Sequence, residues 1–190
     1  MERGLIEALR KRDRELVQIV DAASAESVRR SGNWIACRPG CFQCCLGPFS
    51  ITQLDAMRLR EGLRRLEDVD AQRAARVRNR AAGYIAAMPA GDDKFSDAFD
   101  DIPCPALDPA TGCCDLYEWR PMTCRTFGPA ALQEDGSVAA CELCYQGASA
   151  EQIAACVVET DPNSLETALL AELESNGVGG ETTVALALIE

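Results

Sequence analysis

The chain carries eleven cysteines and no histidine, and most of its cysteines stand in two dense groups. The first group, Cys37-Arg-Pro-Gly-Cys41-Phe-Gln-Cys44-Cys45, places four thiols in one short run. The second group runs from Cys104 to Cys124 and contains the adjacent pair Cys113-Cys114. Cysteines that serve only as small core residues are not bunched in this way. We therefore expect the thiols to converge on one or more metal ions or clusters.

The cellular compartment decides how such a pattern is interpreted. No apolar stretch follows the N-terminus as in a signal peptide, and no run reaches the roughly 18–20 apolar residues of a membrane span. We therefore expect a cytoplasmic protein with no membrane partner. Cytoplasmic thiols are kept reduced, so clustered cysteines there predict metal binding or redox chemistry rather than structural disulfides. Without histidine, a zinc site has to use thiolates or carboxylates, and Cys-His and Ser-His-Asp catalysis are excluded.

Charge is distributed unevenly along the 190 residues. Residues 126–190 contain 11 acidic residues and no Lys or Arg, so all 19 basic residues lie in residues 1–125. Because nucleic-acid binding relies on Lys and Arg, this predicts that the C-terminal third does not contact nucleic acid, and no nucleic-acid partner is expected. An acidic surface of this kind could instead meet a protein partner.

The apolar pattern predicts a mainly α, single domain over residues 1–190. Residues 3–31 show helical spacing and end at Ser31-Gly32-Asn33, which makes residues 1–33 an N-terminal helix. Ser50 or Thr52 is expected to cap a helix to about Arg65, and Asp68 or Asp70 to start another to about Met88. In the latter, Ala75, Val77, Ala81 and Ile85 form the expected apolar face. The basic residues of that helix are predicted to form a solvated face: Arg73, Arg76, Arg78 and Arg80.

Irregular loops and one or two short β-hairpins are predicted to build the metal site within residues 37–145. Gly91 to Asp101 is acidic and is expected to be an exposed loop. Hairpins are predicted around Asp108 to Gly112 and around Glu134 to Ser137. Pro121 suits the first turn of a short helix that contains Cys124.

Residues 149–190 are predicted to form an acidic helical C-terminal part. Ser149-Ala-Glu-Gln152 has the pattern of a capping box. Asp161-Pro162 is expected to open a further helix with proline in its first position, closed by Gly177. The tail from Thr183 to Ile189 is compatible with a helix or an edge strand, and we expect a helix.

Thiolates are soft ligands that select zinc, copper(I) or iron–sulfur clusters. The spacing Cys37-x3-Cys41-x2-Cys44 lets three thiolates reach one centre. Neighbouring side chains of an extended backbone point to opposite sides, so Cys44 and Cys45 are expected to serve different centres or to bridge two metals, a device related to that of two-cluster ferredoxins. Eight thiols allow two four-thiolate centres, or one centre with a second partial one.

Cations should lie near such a site, because four thiolates around zinc or an oxidised [4Fe–4S] core leave a net charge of −2. Arg120 and Arg125 are predicted to stabilise the bound group without ligating it. Arg38 could do the same or be an ordinary surface residue. Cys156, in the apolar helical stretch Ile153-Ala-Ala-Cys156-Val-Val, is expected to be a small core residue. The roles of Cys113 and Cys144 stay open.

At these motifs the sequence resembles the YkgJ-type cysteine-cluster family, also described as candidate zinc- or iron-chelating domains of CxxCxxCC type. The resemblance rests on C-x3-C-x2-CC, CPAL and C-D-L-Y-E-W-R-P-M-T-C-R, and it covers about residues 37–145. The first spacing here is x3 rather than x2, and Cys113 and Cys144 are additional. The resemblance implies a metal or [4Fe–4S] site with these ligands: Cys37, Cys41, Cys44, Cys45, Cys104, Cys114, Cys124 and Cys141.

Three functions remain compatible with the sequence. The first is a protein that holds an iron–sulfur cluster, with a [4Fe–4S] type favoured, or zinc, for electron transfer, sensing or metal handling. The second is a zinc-stabilised module that binds a protein partner. The third is an enzyme, because the resembled family also includes flagellin lysine methylases. The glycine cluster Gly177-Val-Gly179-Gly180 follows a predicted helix rather than a strand, which does not favour a nucleotide-cofactor site.

Overall fold

The computed structural model of the chain describes residues 3–88, 100–133 and 136–189. Within these residues, the helices are α1 (Arg3–Ser31), α2 (Gln53–Val69), α3 (Ala71–Ala86), α4 (Met122–Thr126), α5 (Ala150–Ala154), α6 (Leu165–Ser175) and α7 (Val184–Ile189). The strands are β1 (Ser50–Thr52), β2 (Leu107–Asp108), β3 (Cys113–Cys114), β4 (Ala131–Leu132), β5 (Val138–Ala139) and β6 (Glu181–Thr183). The prediction of a mainly α fold with cysteines in irregular regions is confirmed. None of the described helices combines the length and the apolar content that a bilayer crossing requires.

The chain divides into two compact units. The first unit comprises Met1–Arg38 and Met122–Asn176, and the second comprises Pro39–Pro121 and Gly177–Glu190. The boundary between the two units at Arg38 and Pro39 lies inside the first cysteine group. Cys37 therefore belongs to the first unit, whereas the other three cysteines of that group belong to the second.

In the first unit, α1 packs one face against α4 and α6. The sequence predicts an apolar stripe of Leu5, Leu9, Leu16, Val20 and Ala23, of which Leu9, Leu16 and Val20 are buried and the other two are half-buried. The buried residues recur every three to four or seven positions and so share one face of the helix, which explains why they are buried together. The predicted helix over residues 3–31 is confirmed with the same bounds.

The same face of α1 continues as a row of serines. Ser27 and Ser31 are buried, and both hydroxyls form hydrogen bonds. Ser27 Oγ lies 2.9 Å from two carbonyl oxygens, those of Ala130 and Cys156. Ser24 Oγ donates to the carbonyl oxygen of Arg125 at 3.1 Å. Serine hydroxyls thus bind backbone carbonyl groups of other segments to α1, whereas apolar side chains could not form hydrogen bonds with them.

The second unit is built on α2, α3 and α7, which pack against one another. Thr52 caps α2 in a capping box with Asp55, and Asp70 caps α3 by accepting from the N–H of Arg73 at 2.9 Å. Both predicted helix starts are confirmed. Helix α2 continues past Arg65 to Val69. On α3, Val77 and Ala81 are buried as predicted, whereas Ala74 and Tyr84 are buried in place of Ala75 and Ile85.

The C-terminal tail combines the two structures that its sequence permits. Glu181–Thr183 forms β6, which pairs antiparallel with β1 so that Thr182 lies opposite Ile51. The chain then continues directly into α7, whose residues Val184 and Leu188 join the core of the second unit. The expected helix is confirmed, and the short strand before it was not predicted.

Helix α6 begins three residues later than predicted, at Leu165 rather than at Pro162. The backbone first turns, with Ser164 in the left-handed region and its N–H donating to the carbonyl oxygen of Asp161 at 3.0 Å. The Asp161 carboxylate then accepts from the N–H of Glu166 at 2.8 Å. Asp161 therefore caps the helix from upstream, and the proline lies in the turn.

Both predicted hairpins are present, as β2–β3 and β4–β5. In the second hairpin, Glu134 and Asp135 lie outside the described residues. The predicted acidic loop from Gly91 to Asp101 also lies outside them, except for Asp100 and Asp101.

Candidate metal centre

Six of the eleven cysteines belong to the second unit, on three separate stretches of backbone. The first stretch carries three thiols in the turn after Pro39, the second precedes β2, and the third is β3 itself. These cysteines are Cys41, Cys44, Cys45, Cys104, Cys113 and Cys114. All except Cys113 are predicted ligands.

Backbone hydrogen bonds join the first two stretches. The N–H of Cys104 donates to the carbonyl oxygen of Cys45 at 2.7 Å, and Gly47 N–H donates to the carbonyl oxygen of Ile102 at 3.0 Å. Leu46, between the two bonded positions, pairs antiparallel with Pro103. Cys45 and Cys104 are therefore held side by side although they come from different cysteine groups.

Two glycines bring the first stretch against the β2–β3 hairpin. A Cβ atom built on Gly112 would lie 3.1 Å from the carbonyl oxygen of Gly40, and both residues have positive φ, +66° and +86°. Glycine is favoured at both positions because a side chain would strain the backbone, and at Gly112 it would also be crowded. The contact places Cys41 and Cys113 each next to one of the touching glycines.

Cys44 and Cys45 lie in a single turn of 3-10 helix, Gln43–Cys45, rather than in extended backbone. The expectation that their thiols point to opposite sides is therefore wrong. A hydrogen bond between the two thiols, with burial as the second cause, raises the pKa of Cys44 far above its usual range. Cys113 and Cys114, by contrast, lie in strand β3, in which successive side chains point to opposite faces.

The segment after Cys114 is fixed to α2 and α3 at two points. Asp115 is buried and forms ion pairs with Arg73 and Arg80 of α3. Trp119 lies against Gly62 of α2, where a Cβ atom would be 2.5 Å from the Trp119 Cβ and 2.6 Å from its Cδ1. The predicted solvated face is therefore wrong for both arginines, because each binds a buried carboxylate of a loop that α3 supports.

This ion-pair arrangement is what sequence reasoning missed most clearly. Arg73 and Arg80 are seven positions apart on α3, which places them on one face of the helix. Asp115 stands between Cys114 and Leu116, in a segment that is otherwise apolar. Together these two features could have indicated a buried carboxylate bound by that face.

Arg120, a predicted cofactor-binding residue, lies over the ring of Tyr117, with its guanidinium carbon 4.0 Å from the ring centroid. Its Nη1 donates to the carbonyl oxygen of Tyr117 at 2.8 Å. Burial raises the pKa of Cys114, and the positive charges of Arg120 and Arg73 act in the opposite direction. Arg120 therefore exerts a favourable field on one candidate thiolate.

The first unit holds the remaining cysteines: Cys37, Cys124, Cys141, Cys144 and Cys156. Gly128 stands between two of the predicted ligands. A Cβ atom at Gly128 would lie 2.8 Å from the sulfur of Cys37, and its carbonyl oxygen accepts from the N–H of Cys141 at 3.1 Å. The absent side chain of Gly128 thus leaves the space that the Cys37 thiol occupies.

Cys124 lies in α4 and is followed by Arg125, the second predicted cofactor-binding residue. The Arg125 side chain is buried, and its Nη1 donates to the Asp21 carboxylate of α1 at 2.7 Å and 2.8 Å. This pair, together with the bond from Ser24 to the Arg125 carbonyl oxygen, fixes α4 to α1. The position of Cys124 is set in this way.

Cys144 and Cys156 belong to the apolar cluster of the first unit. The sulfur of Cys144 accepts from the N–H of Ala36 at 3.4 Å, and Cys156 Sγ donates to the carbonyl oxygen of Gln152 at 3.3 Å. The prediction that Cys156 is a small buried core residue is confirmed. It stands just beyond the end of α5, however, and not within an apolar helix as predicted.

The donor set of the chain fits the chemistry of zinc or iron, although its side chains are not arranged around a centre in this structure. In the described part of the chain, no three Cys, Asp or Glu side chains are grouped closely enough to hold a metal ion. Thiolates are nevertheless the donors that zinc and iron–sulfur clusters select. The absent side chain of Gly128 leaves room for the Cys37 thiol. Gly40 and Gly112 in the same way let the backbone next to Cys41 approach the backbone next to Cys113.

Comparison with known families gives a match. The model of a family named CxxCxxCC, described as a "putative zinc- or iron-chelating domain", matches residues 36–146. That range covers more than half of the chain and includes every predicted ligand. Comparison with curated proteins and with solved structures finds no match.

Proposed function

The chain belongs to the CxxCxxCC family of zinc- or iron-chelating domains, and on that premise we propose that it binds its metal through cysteine thiolates, as a [4Fe–4S] cluster in preference to zinc. The proposed ligands come from both cysteine groups and from Cys141 beyond them, which allows two four-thiolate centres or one centre with a second partial one: Cys37, Cys41, Cys44, Cys45, Cys104, Cys114, Cys124 and Cys141. A thiolate-bound cluster would suit electron transfer or sensing, whereas labile zinc would suit metal handling.

The hydrogen bond from Cys104 to Cys45 is the observation that carries this proposal. It joins two cysteine-bearing stretches from different parts of the sequence through their backbones, at 2.7 Å. A link of this kind holds the two cysteine-bearing stretches together through main-chain atoms and not through the thiols.

The preference for a cluster rests on the adjacent thiols of Cys44 and Cys45. Both belong to one 3-10 turn, and they contact each other. Two thiolates held this closely suit a polynuclear centre, whose separate iron atoms each take one thiolate. Arg120 would stabilise the negative charge of such a centre through its field at Cys114.

Anaerobic purification followed by metal analysis and a visible spectrum tests the proposal. We expect iron together with acid-labile sulfide, and a broad visible absorption that bleaches on reduction. Stoichiometric zinc without sulfide would contradict the cluster and leave thiolate chelation standing. A protein that retains neither metal, and that takes up neither on anaerobic reconstitution, would contradict the proposed function as a whole.

A further inference from the structure

A buried carboxylate stands directly beside a proposed ligand and takes no part in ligation. The side chain of Asp115, which follows Cys114, is only 2% exposed. A carboxylate is transferred from water to such a position only at a large free-energy cost unless cations and hydrogen bonds compensate it. The position of Asp115 therefore calls for a structural explanation.

Two arginines of α3 supply the compensation. Arg73 Nε bonds to Asp115 Oδ1, and Arg80 Nη2 bonds to Asp115 Oδ2 at 2.5 Å. Each carboxylate oxygen thus has its own guanidinium partner. These three residues form what we call the Asp115 ion-pair cluster.

Arg80 also binds a second cysteine-bearing segment. Its Nε donates at 2.8 Å to the carbonyl oxygen of Pro105, the residue that follows Cys104. The Asp115 N–H in turn donates to the carbonyl oxygen of Ala106 at 2.7 Å. Through one guanidinium group, α3 therefore contacts the neighbours of two proposed ligands at once.

We infer that Arg80 and Asp115 are positioning residues, which hold the Cys104 and Cys114 segments at a fixed separation for the metal. The inference rests on the proposed function, since it concerns the retention of the same metal. The planar guanidinium of arginine offers several donors in a fixed geometry and can serve two acceptors together. A lysine carries the same charge but cannot reproduce that geometry.

The role of the cluster should be visible in how long the metal is retained. Residues that orient ligands without touching the metal change metal affinity by about 10–100-fold when they are substituted. Loss of the bond to Pro105, or of the carboxylate charge at Asp115, frees one segment to move relative to the other. The thiolates of Cys104 and Cys114 then have to return to the arrangement that binds the metal at every binding event.

Zinc is the probe for the test, because it can be loaded anaerobically into the full chain and its release to a chromophoric chelator can be followed. The test variants are Arg80→Lys and Asp115→Asn. The matched control is Arg78→Lys, which lies on the same helix and pairs with Glu67 at 2.6 Å, away from the cysteines. A second readout, hydrogen exchange at the Leu107 and Asp115 amides, is measured on the metal-free protein.

We expect both test variants to release zinc about 10–100-fold faster than the wild type. Their Leu107 and Asp115 amides should also exchange faster in the metal-free chain, whereas Arg78→Lys should match the wild type in both measurements. If the wild type holds zinc and both test variants release it at the control rate, the inference is overturned while the proposed function stands. If the wild type takes up an iron–sulfur cluster instead of zinc, the same comparison is made on the loss of the visible absorption of the cluster. If the wild type takes up neither on anaerobic reconstitution, both the inference and the proposed function are overturned.

Discussion

The indole ring of Trp119 lies directly on the backbone of Gly62, so that the segment carrying Cys114 rests on α2 at a position where no side chain would fit. The glycine is in the middle of a helix, where glycine ordinarily reduces stability relative to alanine. Its presence there is explained by the close approach of the ring. The Asp115 ion-pair cluster then fixes the other end of the same segment to α3.

This contact makes substitution of Gly62 costly. We expect Gly62→Ala to lower the free energy of unfolding by about 1–3 kcal/mol, because the new methyl group overlaps Trp119 and the ring has to shift. Urea denaturation measures the change. Gly83→Ala is the matched control, since Gly83 lies in α3 and, among the described residues, no atom outside that helix lies within 4 Å of the added Cβ. There we expect a gain of about 0.5–1 kcal/mol, and equal effects at both sites would refute the packing argument.

Gly128 offers a test of the first unit. We expect Gly128→Ala to weaken metal binding, because the added Cβ would lie 2.8 Å from the Cys37 sulfur and would displace that proposed ligand. Gly136→Ala is the control, since Gly136 also has positive φ but, in the described part of the chain, no atom beyond its chain neighbours within 4 Å of the added Cβ. Metal content per chain should fall only in the first variant. Equal metal content in both would show that the Cys37 position does not matter for binding.

The helices were largely predictable from the sequence because their signals are local. Thr52 and Asp70 cap α2 and α3 as predicted, and the apolar spacing of Leu9, Leu16 and Val20 gave the buried face of α1. Propensity and periodicity act within a few residues, so one sequence contains them. The predicted start of α6 was wrong because Asp161, which caps the helix, lies further upstream than the residue that normally caps a helix.

The candidate site was less predictable, because long-range contacts decide its arrangement. The type of donor followed from the cysteines alone. Three of these contacts join residues far apart in sequence: the bond between Arg80 and Pro105, the ion pair of Arg125 with Asp21, and the approach of Gly40 to Gly112. None of these partners can be identified from spacing. The 3-10 turn at Cys44 and Cys45 was not predicted, because the backbone there was assumed to be extended. This turn brings the two thiols close together.

Removal of the metal should affect the chain unevenly. A metal that binds only the folded state adds its binding free energy to folding, so its loss should destabilise residues 37–49 and 104–145. Helices α1 and α6 have buried apolar faces without metal ligands, including Leu169 and Leu173 of α6. We therefore expect hydrogen exchange after demetallation to increase in the two cysteine-bearing ranges and to stay unchanged in both helices. A uniform change along the chain would contradict the assignment.

The central claim is that particular thiols, and not cysteines in general, bind the metal. Cys44→Ser and Cys124→Ser should lose metal, because a serine hydroxyl is a harder ligand that is rarely ionised near neutral pH. Cys156→Ser is the control: Cys156 is buried, and a hydroxyl there can still donate to the carbonyl oxygen of Gln152. Cys156→Ser should therefore lower the free energy of unfolding by only about 1 kcal/mol.

Metal per chain, measured for the wild type and these three variants after identical anaerobic purification, is the direct test. Thiolate chelation predicts full metal in the wild type and in Cys156→Ser, with a clear loss in Cys44→Ser and in Cys124→Ser. Full metal in the two ligand variants, or a severe loss in Cys156→Ser, would contradict it.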